Sequence, residues 1–476
     1  MRAWTLIGDR TAFGSVRQLP PGHWMTVLGE RGEARRYWSP PPVDPRAPSL
    51  DEDKAVDRFE ELFGKAVNRQ TMSDVKIVAL LSGGIDSCAI LDELARRHDD
   101  KLAGAYSLVF DDAASDESSH QQAFLKGQDI AHTSVNVCED VLVSGFEEAV
   151  RHAETPVFRA AIVPMMLLAR VISNDGFKVC LSGEGADEIL LGYEVFREIG
   201  IRGFANRSAR CDRLQLLTRL YRRFPEFADE GSAERSLAYY RRNPLDASDA
   251  FSMARPRWND SAGIGSYLSD DVRASIGAAA PEQVIRKSLP PGFFELDPIR
   301  RMQMLELEML LANYLLSSQG DRMAAASGVE TRYPFLDNDL FNFAWTLPNK
   351  CKLRGLQHKR ILRAAMKGRL PEAIRTRPKF PFQSANAKTA FGGPGALAFV
   401  DDAMSAESIA DTGIFDPGQV ASLRAKLRTD RHVPLDEADE LAFFAILSTQ
   451  IIHRSFVAHR SVQPPSERFS AYVAAA

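Results

Sequence analysis

With 476 residues, 45% apolar and 26% charged side chains and a formal net charge of −4, the chain excludes a disordered, collagen-like or small disulfide-stapled protein. The near-neutral balance also argues against a dedicated nucleic-acid binder, whose electrostatic footprint is basic. The length exceeds what one simple core holds, so two or three sub-domains are expected. The five cysteines (Cys88, Cys138, Cys180, Cys211 and Cys351) are scattered, with no C-x-x-C pair, which fits reduced thiols better than a zinc site or a disulfide framework. The opening MRAWTLIGDR lacks a signal-peptide core, and the longest apolar run, 160–169, contains Pro164 and is too short to span a bilayer. A cytoplasmic location, with no membrane and no nucleic-acid partner, is the expectation.

In chain order, residues 1–40 alternate short apolar pieces with Gly8, Gly14, Pro20–Gly22 and Gly29, which suggests hairpins. A proline-rich linker over 39–49 marks a boundary. Residues 51–69 then read as an amphipathic helix with Val56, Phe59, Leu62 and Phe63 on one side. From Val75 the pattern alternates: strands over 75–81, 102–110, 132–137 and 177–182, separated by helices over 86–97, 117–126, 139–152 and 164–173. Such alternation implies right-handed crossovers and a doubly wound, mostly parallel α/β sheet, with ligands beyond the carboxyl ends of the strands. After Gly192 the strands are expected to stop, leaving a mainly helical remainder over 196–460 and a loose tail from Ser461.

Three segments carry candidate chemistry. LSGGIDSC (81–88) follows a strand and opens a helix. Ser82, Gly83, Gly84 and Ser87 add little bulk, so backbone N–H groups at the helix start can cradle phosphate. Asp86 inside such a cradle calls for a cation, and Mg²⁺ bridging phosphate oxygens would supply it. The Walker pattern is absent, and the plainer alternative is a tight turn with a capping Asp. LSGEGADE (181–188) also follows a strand and brings Glu184, Asp187 and Glu188 together between glycines. An acidic helix cap explains Asp187 but not the two glycines around Glu184. Asp86 and Asp187 would share the Mg²⁺ if the two loops are neighbours. The third segment, 317–337, reads as helical and is followed by TRPKFPF (376–382). Here Arg322, Arg332 and Lys379 are candidates for holding phosphate, with structural ion pairs as the plainer alternative, and Phe335 and Leu336 read as core.

SGGIDS, SGEGADE, GDRMAAASGVETRYPFLD and RPK, in that order from about residue 55 to 455, resemble the asparagine synthetase family, whose synthetase domain is of the PP-loop, adenine-nucleotide α-hydrolase type. LPPGHWM (19–25) and RYW (36–38) resemble the last strands of that family's glutaminase domain. The resemblance implies a truncated glutaminase remnant over 1–45, an ATP-binding α/β core over 50–195, and a helical remainder of the synthetase domain over 196–460. It implies ATP and Mg²⁺, with pyrophosphate held by Ser82, Gly83, Gly84 and Ser87, and Mg²⁺ held by Asp86 and Asp187. Leu81, Leu108, Ser182 and Gly183 match positions that contact the AMP moiety. Lys379 matches the essential lysine of the family, and Glu184 the glutamate tied to the acyl-AMP step and the incoming nitrogen. The β-lactam-forming relatives have a tyrosine at the Glu184 position. Members that hydrolyse glutamine begin Met-Cys, whereas the second residue here is Arg2, so glutaminase activity is expected to be missing. The implied partners are a small carboxylic acid and ammonia or an amine, with a separate glutaminase or a carrier protein left open. The implied activity is ATP-dependent amide formation through an acyl-adenylate. Intramolecular cyclisation of the β-lactam or lasso-peptide type, and an inactive partner subunit, are the alternatives.

Overall fold

The computed structural model describes residues 4–29, 31–43, 51–111, 116–207, 215–217, 220, 234, 237–241, 243–246, 248–276, 281–379, 386–430, 433 and 435–458. The later part of the expected linker, Cys211, residues 380–382 of TRPKFPF and the expected tail lie outside them.

An antiparallel hairpin comes first, β1 (His23–Leu28) and β2 (Arg31–Arg36). Arg36 docks it on the body, through Glu308 at 3.5 Å and the Ser288 carbonyl at 3.2 Å. Helix α1 (Glu52–Gln70) forms where the amphipathic pattern places it. The Asp51 carboxylate accepts from the Asp53 and Lys54 amides, and Glu52 and Asp53 face the positive end of the helix dipole. Phe59, Leu62, Phe63, Ala66 and Val67 form its buried face.

Five strands make the main sheet: β3 (Ile77–Leu80), β4 (Leu102–Phe110), β5 (His132–Val137), β6 (Val179–Leu181) and β7 (Glu330–Arg332). Their order is β5-β4-β3-β6-β7 and every pairing is parallel. The crossovers use α2 (Ile85–Arg97), α3 (Ser118–Leu125), α4 (Glu139–Ala153) and α5 (Ile162–Asn174). The α/β, doubly wound expectation holds. β7 corrects the reading that strands stop after Gly192 and that 317–337 is helical throughout. Three residues at a sheet edge, Glu-Thr-Arg, carry no apolar run, so nothing in their pattern marks a strand. Pro256 sits in the first turn of a short helix, Arg255–Asp260, where its missing N–H costs nothing.

Alternate strand residues face opposite sides of the sheet. Ile77, Ala79, Leu81 and Leu181 join a core with α1 and α2, whereas Val78, Tyr106 and Cys180 join a second core with α4 and α5. Helical residues far along the chain complete both: Phe335, Trp345 and Leu362 on the first side, Phe391, Phe443 and Phe444 on the second. Among the described residues no helix is long and apolar enough to cross a membrane.

Candidate active site

Strand order reverses between β3 and β6: the chain runs outward through β4 and β5, then returns to the other side of β3. Crevices at such reversals, beyond the carboxyl ends of the strands, are where doubly wound folds bind ligands. Both glycine-bearing loops emerge there. A Cβ built on Gly183 would lie 3.1 Å from the Asp86 Cβ and 3.2 Å from the Ser87 nitrogen, so the two loops touch and glycine is what lets them.

In the first loop the serine hydroxyls set the shape. The Ser82 amide donates to the Ser87 hydroxyl at 3.2 Å, the Gly84 amide donates to the Ser82 hydroxyl at 3.2 Å, and the Ser87 hydroxyl donates to the Gly84 carbonyl at 3.1 Å. Gly83 sits at φ +76°, and a side chain there would meet the His120 Cβ at 2.8 Å. Helix α2 begins at Gly84 with no side-chain cap, so its first-turn amides are left to a ligand or water. Leu81 is placed differently from the other expected nucleotide contacts. Its side chain is buried in the core, its amide donates to the Tyr106 carbonyl, and its carbonyl accepts from the Ser107 hydroxyl at 2.6 Å. Leu108 stands near the end of β4, its carbonyl accepting from the Gln121 amide at 3.0 Å.

In the second loop Gly185 takes φ +88°, and a Cβ there would lie 2.4 Å from Leu336, so the Pro-Phe-Leu turn packs directly beneath it. Asp187 follows in the short helix α6 (Ala186–Ile189). Its two carboxylate oxygens each meet an ammonium: Lys359 at 2.7 Å and Lys379 at 2.7 Å. Lys359 also lies 2.5 Å from Asp86, whose other oxygen, Oδ1, is buried without a partner. The two carboxylates and two ammonium groups thus form one buried cluster linking both loops. Burial pulls the Asp187 carboxyl upward, but Lys359 and Lys379 hold it well below the usual range. For Asp86 burial wins over Lys359, and its carboxyl is pushed up. Burial alone would lower Lys379, but Asp187 and Asp86 more than offset it and keep the ammonium charged. The ring of Tyr193 lies 5.9 Å from that ammonium and its hydroxyl donates to Glu188 at 2.7 Å.

Glu184 projects from the same loop. Burial raises its carboxyl, partly opposed by Lys379, and among the described residues no hydrogen bond or ion pair engages its carboxylate. With Ser182 it borders a cavity that runs back between α5 and the sheet.

Lys359 is the functional candidate that sequence reasoning missed. It stands at φ +50°, a conformation rare for a side chain with a Cβ, and Leu191, shortly after Asp187 in the chain, stands at φ +57°. Strain of this kind, held by the surroundings, clusters at functional sites. Gly192 completes the packing: a Cβ there would fall 1.9 Å from an Asp187 oxygen and 2.3 Å from the Lys359 Cε. Arg322 and Arg332, by contrast, are structural. Arg322 binds the Ala153 carbonyl and Glu154, and Arg332 binds the carbonyls of Gln70 and Met72 at 2.7 and 2.8 Å, so neither is free to hold phosphate. Arg377 pairs with Glu117 at 2.7 Å and leans on the Gly83 carbonyl, bracing the first loop.

No group of three or more His, Cys, Asp or Glu side chains converges among the described residues. Two adjacent carboxylates, one with an unpartnered buried oxygen, nevertheless fit a cation that draws its remaining ligands from phosphate and water. Lys359 supplies the positive charge between them here.

Comparison with known proteins agrees with the geometry. The model of the asparagine synthase family matches residues 58–450. The chain is 27% identical to asparagine synthetase [glutamine-hydrolyzing] 3 of Bacillus subtilis over 78% of its own length and 54% of the relative's. It is 30% identical to a putative asparagine synthetase [glutamine-hydrolyzing] of Mycobacterium bovis over 70% of the chain and 48% of the relative. It is 27% identical to amidase chyE of Penicillium rubens over 77% and 58%. The chain therefore spans about half the length of these curated relatives. With one family model covering most of the chain, the chain belongs to the asparagine synthase family.

Proposed function

We propose that this chain is an AMP-forming carbon–nitrogen ligase. A carboxylate oxygen of the substrate attacks the α-phosphorus of ATP, the bond from that phosphorus to the β-phosphate bridging oxygen breaks, and pyrophosphate leaves. Ammonia or an amine then attacks the acyl carbon, the carbon–oxygen bond to AMP breaks, and one proton leaves the nitrogen. The observation that supports this reading is the buried cluster of Asp86, Asp187, Lys359 and Lys379 at the junction of the two loops.

In this reading the first-turn amides of α2 and the hydroxyls of Ser82 and Ser87 take the departing pyrophosphate, with Gly83 and Gly84 keeping the approach clear. Asp86 and Asp187 hold Mg²⁺, which, when bound, neutralises phosphate charge. Lys379 stays charged and acts by electrostatics rather than as a base. Glu184, with its raised carboxyl, is the group placed to hold the incoming nitrogen and accept its proton. Ser182 and Gly183 line the approach for AMP. Leu108 contributes its backbone, and Leu81 supports the loop from below.

Nitrogen is proposed to arrive as ammonia or an amine. Burial pushes the Cys88 thiol well up and the Cys180 thiol up to about 12, so neither is an activated nucleophile for glutamine. ATP–pyrophosphate exchange tests the reading: Asp86→Ala should abolish it, and near-normal exchange would remove Asp86 from the phosphate site. Run to product, the same mixture should yield amide with ammonium or an amine and none with glutamine alone; amide from glutamine would overturn the nitrogen assignment.

A further inference from the structure

A group that takes a proton from the incoming nitrogen must give it up before the next turnover. Behind Glu184 lies the cavity between α5, the sheet and the helix over Glu306–Asp321. Its volume is about 30 Å³, room for one or two water molecules and nothing larger. Leu80, Leu168, Leu315 and Val329 give it an apolar wall. Water stays in such a space only where polar groups hold it. Ser182, Glu184, Thr331 and Tyr333 border this one.

Tyr333 leads outward. Its hydroxyl donates to an Asp321 carboxylate oxygen at 2.6 Å, and Asp321 is exposed. The phenol fits past the helix because residue 320 is glycine: a Cβ there would lie 3.0 Å from the Tyr333 hydroxyl and 2.8 Å from the Leu315 carbonyl. Asp321 ends a helix that is π-helical over its 16 residues, a geometry rare beyond a single turn and recurrent at functional sites. Burial, then Asp321, then the charge of Glu184 push the Tyr333 phenol up. It therefore does not ionise, and it can move a proton only by receiving one as it passes its own on.

We infer that Tyr333 and Asp321 form a proton exit from Glu184 to solvent, joined to it by water in the cavity. The inference rests on the adenylation reading and extends its second step. As the nitrogen attacks the acyl carbon, Glu184 takes one proton from it. Glu184 gives that proton to a cavity water, and the water passes one of its own to the Tyr333 oxygen. The original phenol proton moves to Asp321 and then to bulk water. After the nitrogen is deprotonated only O–H bonds break and form, and each group ends as it began. Tyr333 and Asp321 touch no reacting atom; they act through Glu184. Attack of an ionised carboxylate on ATP releases no proton, so the exit serves amide formation and not adenylation.

The test uses the full chain as Tyr333→Phe, Asp321→Asn and the double variant, with L-aspartate and 4-methylpentanoate as probe acids and ammonium as the nitrogen source. Single-turnover conversion of preformed acyl-adenylate to amide should slow about tenfold in each variant. That is less than the roughly 10²–10⁴-fold of a direct proton acceptor, because water bridges part of the broken path. Two groups in series should leave the double variant no slower than either single one. The solvent isotope effect on this step should rise, ATP–pyrophosphate exchange should stay within about twofold of the parent, and Asp321→Glu should recover most of the rate lost in Asp321→Asn. Exchange falling as far as amide formation would mean a packing role and overturn the exit. Amide formation at the parent rate in Tyr333→Phe would also overturn it, since the proton then leaves another way. A crystal structure of the full chain that resolves ordered water gives a readout free of turnover: one or two waters should join the Glu184 carboxylate to the Tyr333 hydroxyl, and a dry cavity overturns the exit. Parent protein that binds ATP yet exchanges pyrophosphate with neither acid fails earlier, at adenylation, and takes this inference with it.

Discussion

Replacing Lys359 by Met isolates the electrostatics of the site. The side chain is 1% exposed and touches Asp86 at 2.5 Å and Asp187 at 2.7 Å. Met keeps most of the volume and the same backbone demand at φ +50°, so the change is chiefly the loss of one positive charge between two buried carboxylates. Breaking a buried ion pair from one side costs about 3–5 kcal/mol. Unfolding entropy of about 2.1 cal/mol/K per residue, over a chain of this length, is roughly 1 kcal/mol/K, so the midpoint should fall by about 3–5 °C. The loss should also depend on pH. Burial already raises the Asp86 carboxyl with Lys359 present, and without Lys359 it rises further. A carboxyl whose folded pKa is raised contributes stability below its unfolded pKa and loses it as pH rises through the folded pKa. The variant should therefore lie closest to the parent near pH 4–5 and fall furthest behind near pH 8. Pyrophosphate exchange should drop about 10²–10³-fold, the usual effect of deleting one charge-stabilising group. Thermal melts of both proteins across that pH range are the assay. A midpoint within 1 °C of the parent at pH 8, or an equal loss at pH 5 and pH 8, would refute the reasoning.

Two further substitutions probe the same region. Gly183→Ala places a methyl 3.1 Å from the Asp86 Cβ and 3.2 Å from the Ser87 amide, which must force the two loops apart; about 1–3 kcal/mol of stability and most exchange activity should be lost, and a fully active variant would show that the loops tolerate separation. Glu188 is buried and its carboxyl is raised to about 8, first by burial and then by Glu184 and Asp187. Its stabilising contribution is present below about pH 4.5 and lost progressively up to pH 8, at most roughly 1.4 kcal/mol per pH unit. Glu188→Gln should flatten the fall of the melting midpoint across that window, and an unchanged pH profile would assign the titration elsewhere.

The parallel sheet was legible because buried strands such as Ile77–Leu80 and Leu102–Phe110 write themselves as apolar runs, and capped helices such as Glu52–Gln70 as amphipathic ones. The edge strand Glu330–Arg332 was not, since its backbone pairs with Val179–Leu181 while its side chains are polar. At the site, glycines and carboxylates at strand ends marked both loops. Their contact required the strand order, which no local pattern encodes. Lys359 was invisible for the same reason. LQHKRILR reads as an ordinary basic helix start, and only the tertiary fold turns one of its three cationic side chains, at a strained backbone position, into the gap between Asp86 and Asp187. Arg322 and Arg332 misled in the opposite direction, because a motif places residues along the chain and not where their side chains spend their hydrogen bonds.

The formation of an acyl-adenylate is tested most directly by following oxygen. An accepted carboxylic acid labelled with ¹⁸O in its carboxylate is turned over with unlabelled ATP and an amine, and the nucleotide product is analysed by mass spectrometry. Attack at the α-phosphorus predicts AMP carrying one ¹⁸O and unlabelled pyrophosphate. Label in orthophosphate with ADP as the nucleotide product, or AMP free of label, would contradict it.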